Sequence, residues 1–318
     1  MKQPLRIAIT SGDTDGIGTE VVSKALYRLK PKKGVQYYLW RSPKTPIGHV
    51  RMISRNFTRV SFASWHEALA YGFQSEKEII EIVNTKSPAI WVEEAAIAAN
   101  FKHIDAIATA PLSKTCIQKA GLKDIGHTDI LKRITKSKHV YMSFIGEEFS
   151  VVLATGHIPI KKVEAAWTKE NLVQAIRQAQ KLRKHLDNKS KAKNIAVLGL
   201  NPHAGESGLI GNDAKIFQQV KQSLKNPKWL DGLLIPDVAF LPGKRKKYSI
   251  YICAYHDQGL LPFKSIHGRE GGVHISLGLP FVRTSVDHGT AKDIFGKNKA
   301  DYKSMLEAIQ WAERLAKK

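Results

Sequence analysis

The stretch 248–256, YSIYICAYH, decides how this chain is read. A short run rich in Tyr and Ile, bounded by polar residues, reads as a buried strand. It delivers a histidine, His256, at its carboxyl end. Two other stretches repeat the arrangement: 149–157, FSVVLATGH, ends on His157, and 194–203, NIAVLGLNPH, ends on His203. In an open α/β sheet, ligands bind beyond the carboxyl ends of the strands. Three such strands can bring three imidazoles together, the donor set that holds a catalytic divalent ion while leaving positions open. One histidine after a strand is more often simply hydrogen-bonded. The repetition carries the metal reading. The three histidines are far apart in sequence, so the fold would have to assemble the site.

Working outward, further strands are predicted over 5–10, 35–40, 105–110, 139–145 and the 273–286 region. Helices are predicted over 18–29, 75–85, 91–101, 113–121, 169–186, 214–224 and 302–317, where apolar residues recur at three- and four-residue spacing. Alternating strands and helices give an α/β fold, a two-lobed α/β/α arrangement on a mostly parallel sheet. No low-complexity linker separates the lobes, so a cleft between them is the expected site. The expected division is about 1–110 plus 265–318 for lobe one and 111–264 for lobe two.

The glycine and polar loops follow the strands. SGDTDGIGTE (11–20) turns from the first strand into a helix without the GxGxxG dinucleotide fingerprint, and Thr19 is placed to cap that helix. Ser113 and Lys114 precede a helix whose free N–H groups favour an anion. GHTDIL places His127 and Thr128 on a glycine-initiated turn; an N-cap role alone would account for Thr128. Glu206 and Asp213 stand where they could support metal ligands. Lys264 lies near the third histidine, suited to an anion contact or proton transfer, and Arg283 suits a bidentate anion contact. Structural ion pairs are the plain alternative for both.

Composition narrows the classes. No apolar stretch approaches membrane-spanning length, and MKQPLRIAITSGD turns polar too soon for a signal-peptide core. Cys116 and Cys253 exclude a disulfide framework and fit a reducing cytoplasm. The net charge of +22 suggests nucleic acid, yet the lysines are scattered and no finger, RNP or zipper pattern accompanies them. A positive field also attracts phosphorylated substrates, so nucleic acid is not the expected partner.

Together DGIGTE, TAPLSK, GHTDIL, ATGHIP, GLNPHAGESG, AYHDQGLLPFK and ISLGLPFVRTSVDHGTA, in this order along nearly the whole chain, resemble the 4-hydroxythreonine-4-phosphate dehydrogenase family of pyridoxal-phosphate biosynthesis. The resemblance implies metal ligands at His157, His203 and His256, and substrate contacts at His127, Thr128, Lys264 and Arg283. It also implies an acidic residue at Asp237; Asp237 and Lys264 become the candidates for proton transfer. HGTAKDIFGKNKAD is similar to the adenosine loop of isocitrate and isopropylmalate dehydrogenases, which implies their fold and NAD or NADP contacts at His288, Gly289, Thr290 and Ala291. A homodimer with shared active sites and a divalent ion (Zn, Mg or Co) follow from the same resemblance.

The chain departs from the family at points that touch the substrate. His274 stands where the family usually has a substrate-contacting Asn, one residue is inserted between Lys264 and that position, and SGDTDGIGTE lacks the family's prolines. The expected reaction is metal-dependent, NAD(P)-linked oxidation with decarboxylation of 4-phosphooxy-L-threonine to 3-amino-2-oxopropyl phosphate. The alternatives are a dehydrogenase of 4-phospho-D-threonate or 4-phospho-D-erythronate, a metal-dependent phosphohydrolase, a nucleic-acid-binding protein, and a degenerate dehydrogenase that keeps the metal.

Overall fold

A computed structural model describes residues 3–268 and 272–317. The chain divides into two compact units, Met1–Lys138 with Val273–Lys318, and His139–Gly272. The division differs from the expected one at both boundaries. The segment 111–138 packs into the first unit, where Ile117, Ile130 and Leu131 join Trp91 and Val92 in one apolar cluster. The segment 265–268 belongs with the second, where the His267 ring meets Phe149 at 4.8 Å and Phe263 at 4.4 Å.

The strands are β1 Leu5–Thr10, β2 Val35–Arg41, β3 Thr58–Phe62, β4 Glu78–Val83, β5 Ala106–Thr109, β6 Tyr141–Ile145, β7 Ser150–Leu153, β8 Asn194–Leu198, β9 Leu230–Leu234, β10 Tyr248–Cys253, β11 Val273–Leu277 and β12 Val282–Val286. In the first unit they lie in the order β3-β4-β2-β1-β5-β12-β11. All neighbours there are parallel except β11, which runs antiparallel to β12. In the second unit the order is β6-β7-β10-β8-β9, parallel except for β6 against β7.

The period-two alternation of a strand separates the two cores of the first unit. Ile7, Ile9, Tyr37, Leu39 and Ala108 face the helices Gly18–Arg28 and Lys303–Ala316. Ala8, Tyr38, Trp40, Ile80 and Ile107 face the helix Pro88–Asn100 and its neighbours. Strands buried on both faces, with helices above and below, make a three-layer α/β/α unit.

One predicted helix is a strand. The segment 75–85 contains β4, buried along its centre and paired in parallel with β2 and β3. Its β-branched Ile79, Ile80, Ile82 and Val83 favour the pleated surface. Glu81 is fully buried between the guanidinium groups of Arg41 and Arg59. The helix His256–His267 lies outside the predicted helices; it contains Gly259 and Pro262, residues that disfavour a helix interior. The first helix starts at Gly18 with Ile17 as its cap, so Thr19 sits inside it and does not cap it.

Candidate functional site

In the first unit a row of polar residues crosses the sheet at the carboxyl ends of its parallel strands. Thr10 of β1 pairs in register with Thr109 of β5, Thr109 with Ser285 of β12, and Ser285 with His274 of β11. All four are buried. Arg283, two residues before Ser285, shares their face of the sheet. Its Nη2 donates to Thr109 Oγ1 at 2.7 Å. Thr109 Oγ1 donates on to Ser285 Oγ, and Ser285 Oγ donates to the Thr109 carbonyl. Arg283 Nη1 donates to Ser276 Oγ and His274 Nδ1, each at 3.1 Å.

Arg283 is only 2% exposed, and no carboxylate pairs with it among the described residues. Its three bonds go to neutral acceptors, and its buried Nε has no partner among those residues. A guanidinium has five N–H donors, so two remain uncommitted. Burial pushes its pKa down to about 9, which still leaves it a cation at neutral pH. A buried cation without a counter-ion is costly unless something anionic comes to it.

His127 stands close enough to feel that charge. It opens the helix His127–Thr135, with Gly126 as the cap residue, so Thr128 lies within the first turn and is not the N-cap. Burial first, then the Arg283 charge, holds the His127 imidazole well below its ordinary pKa, and its Nε2 has no partner among the described residues. A helix N-terminus, a neutral imidazole and a buried guanidinium are suited to an anionic group. Ser113 is differently engaged. Its hydroxyl caps the helix Lys114–Lys119, and its N–H is held by both oxygens of the buried Asp13.

A separate cavity of about 510 Å³ opens in the same unit beyond the ends of β1, β2 and β4. Thr14, Gly16, Thr19, Ser42, Thr45 and His49 are among its walls, and Phe295 and Gly296 close it from the loop after β12. The volume suits a small organic ligand or cofactor. Thr290 braces this wall: its carbonyl accepts the Ile17 N–H at 3.0 Å, and a Cβ on Gly16 would lie 2.9 Å from that oxygen. Ala291 beside it adopts a left-handed conformation. His288 donates from Nδ1 to the Gly289 carbonyl, while its Nε2 has no partner among the described residues. Of the loop assigned to the dinucleotide, residues 288–291 shape the backbone behind the cavity, while its later part lines the cavity.

The second unit carries the three histidines. His157 follows β7, His203 follows β8, and His256 begins the helix after β10. Thr155 donates to the Ala254 carbonyl at 2.7 Å, and Gln258 joins the Ala254 N–H to the Gly199 carbonyl. These bonds tie the strand ends together. The His157 and His256 rings stand 5.1 Å apart, and His256 Nδ1 bonds Asp257 at 2.7 Å.

Among the described residues, no three His, Cys, Asp or Glu side chains are gathered to hold an ion. Residues 203–207 form a left-handed turn that brings His203 Nδ1 onto Glu206. The Glu206 carboxylate raises the His203 pKa, and a metal would have to displace that proton. Asp213 is turned elsewhere: it accepts the Leu200 and Asn201 N–H groups and the Asn201 amide. Asp237 is exposed on the short helix Pro236–Ala239 and adds to the field at His203. Lys264 is exposed on the helix that His256 begins.

Sequence reasoning missed Thr109 and Ser276, which accept from Arg283, Ser285, which bonds Thr109, and the cavity walls at 42–49 and 85–88. The available signal was a hydroxyl at the carboxyl end of each strand or one residue before it.

A buried guanidinium at the carboxyl ends of parallel strands and a cofactor-sized cavity in the same unit define an α/β protein built to bind small anionic ligands. The fold is shared at 14% identity with a β-decarboxylating dehydrogenase from Thermococcus kodakarensis (TM-score 0.55, covering 98% of this chain and 83% of that one). The chain belongs to the family described as pyridoxal phosphate biosynthetic protein PdxA, whose model matches residues 50–312. It is 36% identical to a 4-hydroxythreonine-4-phosphate dehydrogenase of Sulfurihydrogenibium sp., over 97% of each chain. It is 35% identical to a putative D-threonate 4-phosphate dehydrogenase of Oceanobacillus iheyensis, over 99% of this chain and 98% of that one. The crystal structure of a 4-hydroxythreonine-4-phosphate dehydrogenase from Burkholderia phymatum superposes with a TM-score of 0.76 at 28% identity, covering 99% of each. Such a dehydrogenase family implies a nicotinamide cofactor. No described helix is long and apolar enough to cross a membrane.

Proposed function

We propose that this chain is a metal-dependent, NAD(P)-linked dehydrogenase that oxidises and decarboxylates 4-phosphooxy-L-threonine to 3-amino-2-oxopropyl phosphate. The observation that carries the reading, beside family membership, is Arg283: a buried cation held only by neutral groups, with two donors left for an anion. A phosphorylated, carboxylated substrate supplies that anion. His127 and Thr128, at the start of their helix, donate to the same class of group.

The cavity lined by Gly16, Thr45 and Phe295 suits the dinucleotide, with residues 288–291 supporting its wall. His157 and His256 hold the metal from one chain, and a second copy contributes His203. Two observations support this sharing. Among the described residues, the His157 and His256 rings stand together and no third ligand is gathered with them. Large apolar side chains also stand exposed after each histidine: Ile158 and Ile160 after His157, Leu209 and Ile210 after His203, and Leu261 on the helix that His256 begins. Exposed apolar groups gathered on functional loops mark an association surface.

A divalent ion held by His157, His256 and His203 would supply Lewis acidity toward a secondary hydroxyl, and a nicotinamide in the cavity would supply a hydride acceptor. The chain's own residues do the rest. Arg283 orients the anionic end, neutral His127 donates or accepts without adding charge, and Asp237 and Lys264 carry protons to and from the reacting carbon skeleton.

A second reading, a dehydrogenase of 4-phospho-D-threonate or 4-phospho-D-erythronate, is favoured by one feature: His274, not Asn, contacts Arg283. Initial rates of NAD(P)H formation with each substrate, with and without chelator, test both. Chelator-sensitive turnover of the amino acid supports the first reading; turnover of the hydroxy acids alone moves the substrate. No turnover of any of them overturns both.

A further inference from the structure

Two buried arginines of the first unit are treated in opposite ways. Arg41 is 6% exposed and spends its Nε and Nη2 on the buried carboxylate of Glu81, at 3.0 and 2.7 Å. That is how a structural guanidinium is usually satisfied in an interior. Arg283 is 2% exposed and meets no carboxylate among the described residues. Its Nη1 goes to the imidazole of His274 and the hydroxyl of Ser276, and its Nη2 to the hydroxyl of Thr109.

The His274 contact fixes the chemistry of that imidazole. A guanidinium only donates, so Nδ1 must present its lone pair and the ring proton must sit on Nε2. An imidazolium would set a second cation 3.1 Å from the first. His274 lies in register with Ser285 across β11 and β12, and is 8% exposed, so the pair is built into the sheet.

We propose that His274 is a positioning residue: as a neutral acceptor it holds Arg283 without cancelling its charge, so that the counter-ion of Arg283 is the anionic group of the substrate. A carboxylate at 274 would hold the guanidinium equally well and remove its attraction for an anion. This rests on the anion-binding reading of Arg283 given above and adds the residue that tunes it.

The test compares His274→Asn, His274→Leu and His274→Asp with the wild type. The readouts are KM and kcat for the phosphorylated substrate, calorimetric binding of inorganic phosphate, thermal midpoint, and the nitrogen NMR signature of the ring tautomer. His274→Asn retains a neutral acceptor and keeps KM within about tenfold of the wild type. His274→Asp raises KM and weakens phosphate by more than about tenfold, with kcat less affected and the thermal midpoint equal or higher. His274→Leu loses both stability and phosphate binding. A merely structural role predicts the reverse for the acidic variant: a stable protein with unimpaired binding. Wild-type KM and phosphate affinity in a folded His274→Asp protein, or a wild-type His274 protonated at Nδ1, overturns the proposal. Phosphate binding that follows this order in a protein that turns over no phosphorylated substrate supports the proposal while refuting the dehydrogenase reading.

Discussion

The side-chain amide of Gln258 donates to the carbonyl of Gly199 at 2.7 Å, joining the end of β10 to the end of β8. Its oxygen accepts the Ala254 N–H at the same distance. One side chain thus fixes two of the three loops that carry histidines. Gln258→Ala leaves two backbone groups unpaired and is expected to cost about 1–3 kcal/mol per group left buried. A lower thermal midpoint and weaker divalent-ion binding by calorimetry are the expected outcomes.

Arg283→Met separates stability from function. Removing a buried charge that lacks a counter-ion is expected to leave stability unchanged or raise it by about 1–4 kcal/mol. Binding of phosphate and of phosphorylated substrate is lost. Arg283→Lys does not rescue it, because a point charge cannot reproduce the three fixed bonds to His274, Ser276 and Thr109. Denaturant titration and calorimetry check both halves.

His127 gives the fold an acid sensitivity. Burial first, and then the Arg283 charge, hold its folded pKa well below the ordinary imidazole value. The unfolded chain therefore binds the proton first as pH falls. The stability contribution is fully present above the unfolded pKa of about 6.5 and is lost as pH drops from there toward the folded pKa. His127→Asn is expected to flatten the pH dependence of the thermal midpoint below about pH 6.5, and saturating phosphate to flatten it in the wild type. Identical slopes for wild type and variant contradict this.

Sharing of the metal site between copies is open to complementation. His203→Ala and His256→Ala are each expected to be inactive alone. Mixed and refolded together, they form hybrids in which one site keeps His157 and His256 from one chain and His203 from the other. Activity recovered on mixing supports the shared site. No recovery, or a fully active monomer in ultracentrifugation, contradicts it.

The legible parts of the fold were those where local pattern and burial agree. The β1 and β2 stretches and the long helices 169–183 and 303–316 were visible from periodicity alone. Segment 75–85 was not, because its apolar residues also fit helical spacing and the partners that let Glu81 be buried, Arg41 and Arg59, lie on other strands. The site divided in the same way. Each histidine was recognisable from the strand before it. That His203 turns onto Glu206 follows from the left-handed backbone at 203–207, which four non-glycine residues adopt against their intrinsic preference. The polar row was illegible because its members come from four strands, and each hydroxyl alone looks like a tolerated substitution in a buried strand.

The most direct measurement counts products in one reaction. Purified protein is supplied with metal, NAD(P) and a phosphorylated hydroxy or amino acid, with Arg283→Met alongside. Reduced cofactor, released CO₂ and inorganic phosphate are followed together. The account predicts one reduced cofactor per CO₂, no phosphate release, sensitivity to chelator, and no turnover by Arg283→Met. Phosphate released without cofactor reduction would make the chain a phosphohydrolase and contradict the account.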